Sequence, residues 1–442
     1  MKKILISLII LIFSTQLIVA QNLRRANNLF EKRAYVDAAE LYLAEEFKTQ
    51  EINEKLGDCY FFNNKMQEAA KWYGITIKMY ENKIDPIYFY RYSQALKGIN
   101  KFDEADKWLK TYNEKKNIAS ESSNSTLQYF EALNKNIKRP YIVQPLSINS
   151  TGSDFGVATF GNKIVFASTR NNGPNYDWNN QPYLDLFQAD VNSENNISNI
   201  TAFSESINTK MHESNAVFTA DGKTMYFTRN NFIDGKKGKD ENKITHLKIY
   251  KAQLINNIWT NITELPFNSN NYSTEHPALS ADDKKLYFAS DMPGSLGSFD
   301  IYVVDINADG TYTTPKNLGS TVNTPQREQF PYVSSKNILY FASDGHIGLG
   351  GLDIFKSEIN GDKYSEPINL SNVINSSADD FAFIIDEENE TGYFASNRKG
   401  GMGDDDIYSF TQTKQYFIEG FVQNKTSLDL LPGALVTLFD DK

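Results

Sequence analysis

The residues that could do chemistry in this chain are few and recurrent. Four histidines are present, His212, His246, His276 and His346. None forms the H-E-x-x-H pair of a helical zinc site, and no Gly-x-Ser-x-Gly elbow occurs. Cys59 is the single cysteine, which excludes an intramolecular disulfide and a cysteine-based metal site. Glycine-rich stretches at 294–297, 345–351 and 400–403 could suggest phosphate binding, but no Gly-Lys-Ser/Thr follows them and no helix is expected there. They read instead as hairpin loops on one rim. The carboxylates offer more. Aligning recurring strands puts Asp154, Glu213, Glu275, Gln329 and Asp380 in one register. Five such side chains would ring the mouth of a channel. They would there receive a cation or a Lys/Arg-bearing partner, or else they cap backbone N–H groups near turns. No catalytic residue, cofactor site or metal site is expected, and the chain reads as a non-enzyme, on the ground that propeller hydrolases need an added catalytic domain.

The elements that would position these residues are read from repetition. From Asp154 onward one phrase returns five times: Val165-Phe166-Ala167-Ser168, Tyr226-Phe227-Thr228-Arg229, Tyr287-Phe288-Ala289-Ser290, Tyr340-Phe341-Ala342-Ser343 and Tyr393-Phe394-Ala395-Ser396. A second phrase follows each, as in Asp300-Ile301-Tyr302 and Asp406-Ile407-Tyr408. A period of 50 to 60 residues carrying several short strands is a propeller blade. The Tyr-Phe-Ala-Ser strand is apolar almost throughout, as a strand buried on both faces should be. A third, Asn-Leu-like phrase ends each repeat but is missing after the fifth, and a copy stands before the first at Val143–Ile148. A five-bladed ring over 141–413, closed by that displaced strand at 143–148, follows.

Upstream, residues 22–138 carry three segments with alanine pairs and aromatics: Ala38-Ala39 and Tyr42, Ala69-Ala70 and Tyr73, Ala105 and Leu109. The near-34-residue spacing resembles a tetratricopeptide array, with a capping helix over Ser120–Ile137. Residues 1–20 read as a signal peptide, with Lys2 and Lys3 before an apolar run and Ala20 as the cleavage point. The net charge of −10 argues against nucleic acid as a partner. Phe417–Val422 and Leu431–Leu438 resemble the first strands of a carboxypeptidase-regulatory-like β-sandwich, over 416–442. The fold class expected is thus α + β multidomain: a helical array, a five-bladed all-β propeller and the start of a sandwich.

The order of these parts resembles the Bacteroidetes OmpA-family envelope proteins of type IX secretion and gliding systems. That resemblance implies a periplasmic scaffold associated with the outer membrane, docking protein partners in the envelope, an outer-membrane protein among them. In that family an OmpA-like domain follows and binds peptidoglycan, so a peptidoglycan partner is implied only where such a domain follows residue 442. The alternative is an envelope glycan-binding or glycan-processing propeller.

Overall fold

The computed structural model describes residues 21–118, 125–135, 140–192, 196–233, 235–413 and 420–437. The expected signal peptide at 1–20 lies outside them. Helices come first: α1 over 21–31, α2 (Tyr35–Ala44), α3 (Gln50–Phe61), α4 (Met66–Tyr80), α5 (Ile87–Lys97), α6 (Phe102–Lys116) and α7 (Thr126–Lys135). They pack as consecutive pairs because small residues allow close approach. A Cβ on Gly57 of α3 would collide with the Tyr73 ring of α4. The buried Tyr73 hydroxyl donates to Asp58 at 2.7 Å, and Arg91 of α5 pairs with the same carboxylate at 2.6 Å, tying three helices together. The capping helix expected over Ser120–Ile137 is α7.

The strand β1 (Tyr141–Pro145) precedes the ring. The first blade is β2 (Asp154–Phe160), β3 (Lys163–Ser168), β4 (Asp185–Val191) and β5 (Ile197–Ala202). The second is β6 (Glu213–Phe218) and β7 (Thr224–Asn230), then a short ribbon of β8 (Phe232–Ile233) and β9 (Lys236–Lys237), then β10 (Leu247–Ile255) and β11 (Ile258–Glu264). The third is β12 (Thr274–Leu279), β13 (Lys285–Ser290), β14 (Asp300–Asp305) and β15 (Lys316–Asn317). The fourth is β16 (Glu328–Val333), β17 (Ile338–Ser343), β18 (Asp353–Asn360), β19 (Lys363–Tyr364) and β20 (Ile368–Asn369), followed by the short helix α8 (Ser371–Ile374). The fifth is β21 (Asp380–Asp386), β22 (Thr391–Ser396) and β23 (Asp406–Gln412). Its outermost strand is β1, antiparallel to β23 with Val143 opposite Phe410. The segment expected to close the ring therefore does so, from two residues earlier than its sequence phrase.

The apolar second strands are buried between neighbouring blades. Phe227 packs with Val165 and Leu186 of the first blade, while Tyr226, the adjacent residue, packs with Leu286 and Phe288 of the third. Alternate side chains of one strand thus serve two interfaces, which is why the strand has no polar face.

Each blade is joined to the next by the same device. An asparagine after the outermost strand accepts a backbone N–H and donates to the C=O of one residue in the preceding third strand. The pairs are Asn208 with Leu186, Asn268 with Ile249, Asn323 with Ile301, and Asn375 with Ile354. Asn149 does the same to Ile407, 258 residues away, so the fifth blade is joined to the first twice over.

At the carboxy end, residues 420–437 are largely exposed and hold one isolated bridge, Gln423 to Leu430. No strand forms there among the described residues. The two sandwich strands that the sequence suggests lack the sheet that would bury them, and part of each lies outside the described residues.

Two expectations follow. Deleting Tyr141–Pro145 should raise amide exchange in β22 and β23 well above that in β3 and β4; equal loss of protection in both blades would show that β1 is not the fifth blade's specific support. Asn323→Ala leaves the buried Ile301 N–H unpaired, while the Ile301 C=O keeps the Leu318 N–H, and should cost about 1–3 kcal/mol in urea denaturation; a change within error would remove the asparagine from any structural role.

Candidate functional site: the axial channel

The innermost strands all begin at one register position, occupied by Asp154, Glu213, Thr274, Glu328 and Asp380, each fully buried. Their partners across the hairpin are Ser168, Arg229, Ser290, Ser343 and Ser396. Asp154, Glu213 and Asp380 of the expected ring share this position. Glu275 and Gln329 do not; they stand one residue further on. The third blade has one more residue than its neighbours between the joining asparagine (Asn268) and the strand, and a threonine where the acid should be, so an alignment on acidic character slips to Glu275; in the fourth blade the acid at this position is Glu328, and Gln329 is its neighbour. In a strand that slip moves a side chain to the other face.

The four acids do not face a channel mouth. Each accepts from the N–H and hydroxyl of the Ser or Thr four residues earlier: Ser150 to Asp154, Thr209 to Glu213, Thr324 to Glu328, and Ser376 to Asp380. Three also receive an arginine, Arg229 from the second strand to Glu213 at 2.9 Å, and from just past the end of that strand Arg170 to Asp154 and Arg398 to Asp380, each at 2.5 Å. Glu328 has a serine there instead, and burial pushes its carboxyl up to about 8. The acids cap the turn that leads into each inner strand, which is the backbone-capping alternative.

The next position carries Phe155, Ser214, Glu275, Gln329 and Phe381, and near the axis these side chains converge. Phe155 of the first blade lies 6.3 Å from Phe330 of the fourth and 5.5 Å from Phe381 of the fifth, centroid to centroid. Gln329 donates to Glu275 at 2.5 Å. Burial is the main reason the Glu275 carboxyl rises to about 7, opposed by the Gln329 hydrogen bond. Glu275 is buried and Gln329 half-buried.

One residue further, every inner strand bulges. Gly156, Asn215, His276, Phe330 and Ala382 have φ of +69°, +43°, +57°, +52° and +52°, and the ladder register shifts at each. Four of the five are not glycine; asparagine tolerates this backbone, while His276, Phe330 and Ala382 each cost about 1–2 kcal/mol there. The bulges carry the channel wall inward. His276 stacks on Phe330 at 3.7 Å, and Phe330 packs at a tilt against Phe381 at 4.7 Å, closing the channel on its axis.

Beyond this plug lies a cavity of about 660 Å³, reaching the β2–β3, β6–β7, β12–β13 and β21–β22 hairpins. Its wall is the unpaired edge of the inner strands, with Asn162, Ser280, Thr391, Tyr332 and Tyr393 among the side chains. The helices sit on the opposite face. Tyr90 and Gln94 of α5 both donate to the Asp344 carbonyl at 2.9 Å, Gln326 donates to Tyr112 of α6, and Trp178 donates to the Phe62 carbonyl.

The remaining polar candidates are structural. His212 accepts the Leu184 N–H at 3.1 Å, and burial lowers it to about 4. His246 bridges Ser273 and Asp240, and His346 faces the Val322 carbonyl. Among the described residues no group of three or more His, Cys, Asp or Glu could hold a metal ion. The glycine-rich loops close against the next blade: a Cβ on Gly297, Gly350 or Gly403 would collide with the Gln326, Ala378 or Gly152 carbonyl. Asn215, Phe330 and the bulge ring escape a sequence reading. The regular spacing of asparagine five residues before an acid, at 149/154, 208/213, 323/328 and 375/380, was the signal that could have set the register.

No protein-family model matches the chain, and no curated protein matches it. Several solved structures share its propeller fold. A putative TolB from Agrobacterium tumefaciens is 12% identical with a TM-score of 0.36, over 58% of this chain and 78% of that one. An α-L-arabinofuranosidase from Lactobacillus brevis is 15% identical with a TM-score of 0.36, over 64% and 92%. A thermostable family-43 glycoside hydrolase is 12% identical with a TM-score of 0.36, over 66% of this chain and 100% of its own. The likeness is one of fold. The expectation of a non-enzyme rested on propeller hydrolases needing an added catalytic domain; glycoside hydrolases stand among the structures of this fold, so that ground is withdrawn.

One pH dependence follows. Below about 4.5 the Glu275 carboxyl is protonated whether the chain is folded or not. Between there and about 7 the folded protein keeps a proton that the unfolded chain gives up, so stability falls as pH rises, by about 3 kcal/mol in all at ~1.4 kcal/mol per unit. Glu275→Gln should raise the urea midpoint at pH 8 and leave it unchanged near pH 4.5. The same difference at both pH values would show that Glu275 is not held protonated.

Proposed function

We propose that this chain is an exported envelope protein whose propeller binds or processes an envelope glycan in the axial cavity. The observation that carries the reading is the cavity: about 660 Å³, on the face away from the helices, walled by free backbone edges, amides, hydroxyls and tyrosines. Such a mixture of hydrogen-bonding groups and apolar faces suits a polyhydroxylated ligand. The test is a panel of isolated envelope polysaccharides, scored for binding by calorimetry and for release of reducing ends. Binding, with or without turnover, is expected for at least one; silence across the panel overturns the reading.

A second reading is favoured by the helices. Their pairing resembles a tetratricopeptide array; Leu43 and Met79 stand exposed on them, and Phe47 on the loop between α2 and α3. In this reading the chain is a periplasmic, outer-membrane-associated scaffold, similar to the OmpA-family envelope proteins, that docks protein partners of a type IX secretion, gliding or surface-anchoring complex. Cross-linking in envelope fractions should then capture a stoichiometric partner through α2–α4, and its absence would count against docking there.

A further inference from the structure

The closed end of the axial cavity has an unmet polar requirement. The Asn215 side-chain oxygen is buried and has no hydrogen-bond partner among the described residues. Buried polar atoms are paired in the great majority of cases, so an orphan on a cavity wall points to a group that arrives from outside. Across the same wall, His276 accepts the Phe330 N–H on Nδ1 at 3.4 Å. Burial holds the ring neutral, which leaves its one proton on Nε2. The closed end therefore carries one acceptor and one donor.

The charged residues along the wall are already engaged. Lys163 pairs with Asp190, Asp283 accepts the Ala220 N–H at 2.8 Å, and Asp386 accepts from the Glu388 and Asn389 backbone and the Asn389 amide. Lys163 is the one cation among the described lining residues, so an anionic ligand entering here would meet no free counter-charge, which burial penalises heavily. Val157, Val217, Ile384 and Tyr393 line the wall around the two polar groups. A ring with hydroxyls on its rim and carbon–hydrogen faces fits that arrangement; a uronic acid or a phosphate does not.

We propose that the closed end of the cavity is a subsite for one neutral sugar ring, with one hydroxyl donating to Asn215 Oδ1 and another accepting from His276. This deepens the glycan reading and rests on it. The subsite lies on the bulge ring, so the strained backbone that closes the channel is also what presents both groups.

The test is calorimetric titration of the full chain with neutral oligosaccharides and with glucuronate-terminated ones. Neutral sugars should bind and the acidic ones should bind at least tenfold more weakly. Asn215→Gly removes the acceptor and keeps the left-handed backbone, as Gly156 does at the equivalent position of the first blade; it should lower affinity for the neutral sugar about tenfold with the thermal midpoint little changed. His276→Asn, also tolerant of positive φ, should do the same. If it fails to fold, Asn215→Gly alone decides. Unchanged sugar binding in Asn215→Gly, or acidic sugars binding as tightly as neutral ones, overturns the subsite and leaves the glycan reading standing. No binding of any envelope glycan by the unaltered chain overturns both.

Discussion

One asparagine per blade hands the chain from each sheet to the next. Its amide pairs with both the N–H and the C=O of a single residue in the preceding third strand, fixing the incoming loop in position and angle. Five residues on, or six in the third blade, the next innermost strand begins, with a buried acid or threonine capping the turn between them. A second bond reinforces the joint at four of the five boundaries, where the first N–H of the inner strand reaches a carbonyl of the preceding blade: Glu213 to Leu184, Glu328 to Phe299, Asp380 to Leu352, and Asp154 to Asp405. Because Asn149 makes the same pair with Ile407, the ring closes by the joint it uses everywhere else, and β1 adds a ladder to it.

This joint sets where the axis lies and what meets there. Inner strands aimed alike converge, and a straight strand with bulky residues could not pack at that point. The repeated bulge relieves the crowding by turning one residue per blade into the left-handed region. Glycine or asparagine takes that backbone readily; histidine, phenylalanine and alanine do not, and the structure holds them there through stacking and burial. Strain of this kind concentrates where a protein needs a group held at a fixed place. Here it lies at the boundary between an aromatic plug and an open cavity.

The helices alter the meaning of the two channel ends. Their contacts fall on the loops at the start of the inner strands, so that face is occupied by Tyr90, Gln94 and Tyr112. The opposite hairpins are left uncovered by the helices. Buried carboxyls such as Glu275 and Glu328, which burial pushes up to about 7 and 8, belong to the occupied half and act in holding turns and neighbours.

The repeat, the number of blades and the closing strand were legible in the chain because each depends on local pattern: an apolar strand of fixed phrase, a turn, a period, and one phrase out of place before the first repeat. The alanines that recur in the helical segments were legible for the same reason. The register of the acids was not, since one extra residue before Thr274 and a threonine for an acid are invisible to an alignment on charge, and only strand pairing distinguishes Thr274 from Glu275. The bulges were equally hidden, because left-handed backbone at His276 or Phe330 contradicts local preference and arises from crowding among strands more than 50 residues apart. The sequence by itself thus determined a five-bladed ring with helices before it. Tertiary structure alone decided which side chains reach the axis, which mouth the helices cover and where a cavity remains, because each of these is set by the meeting of blades and not by any one of them.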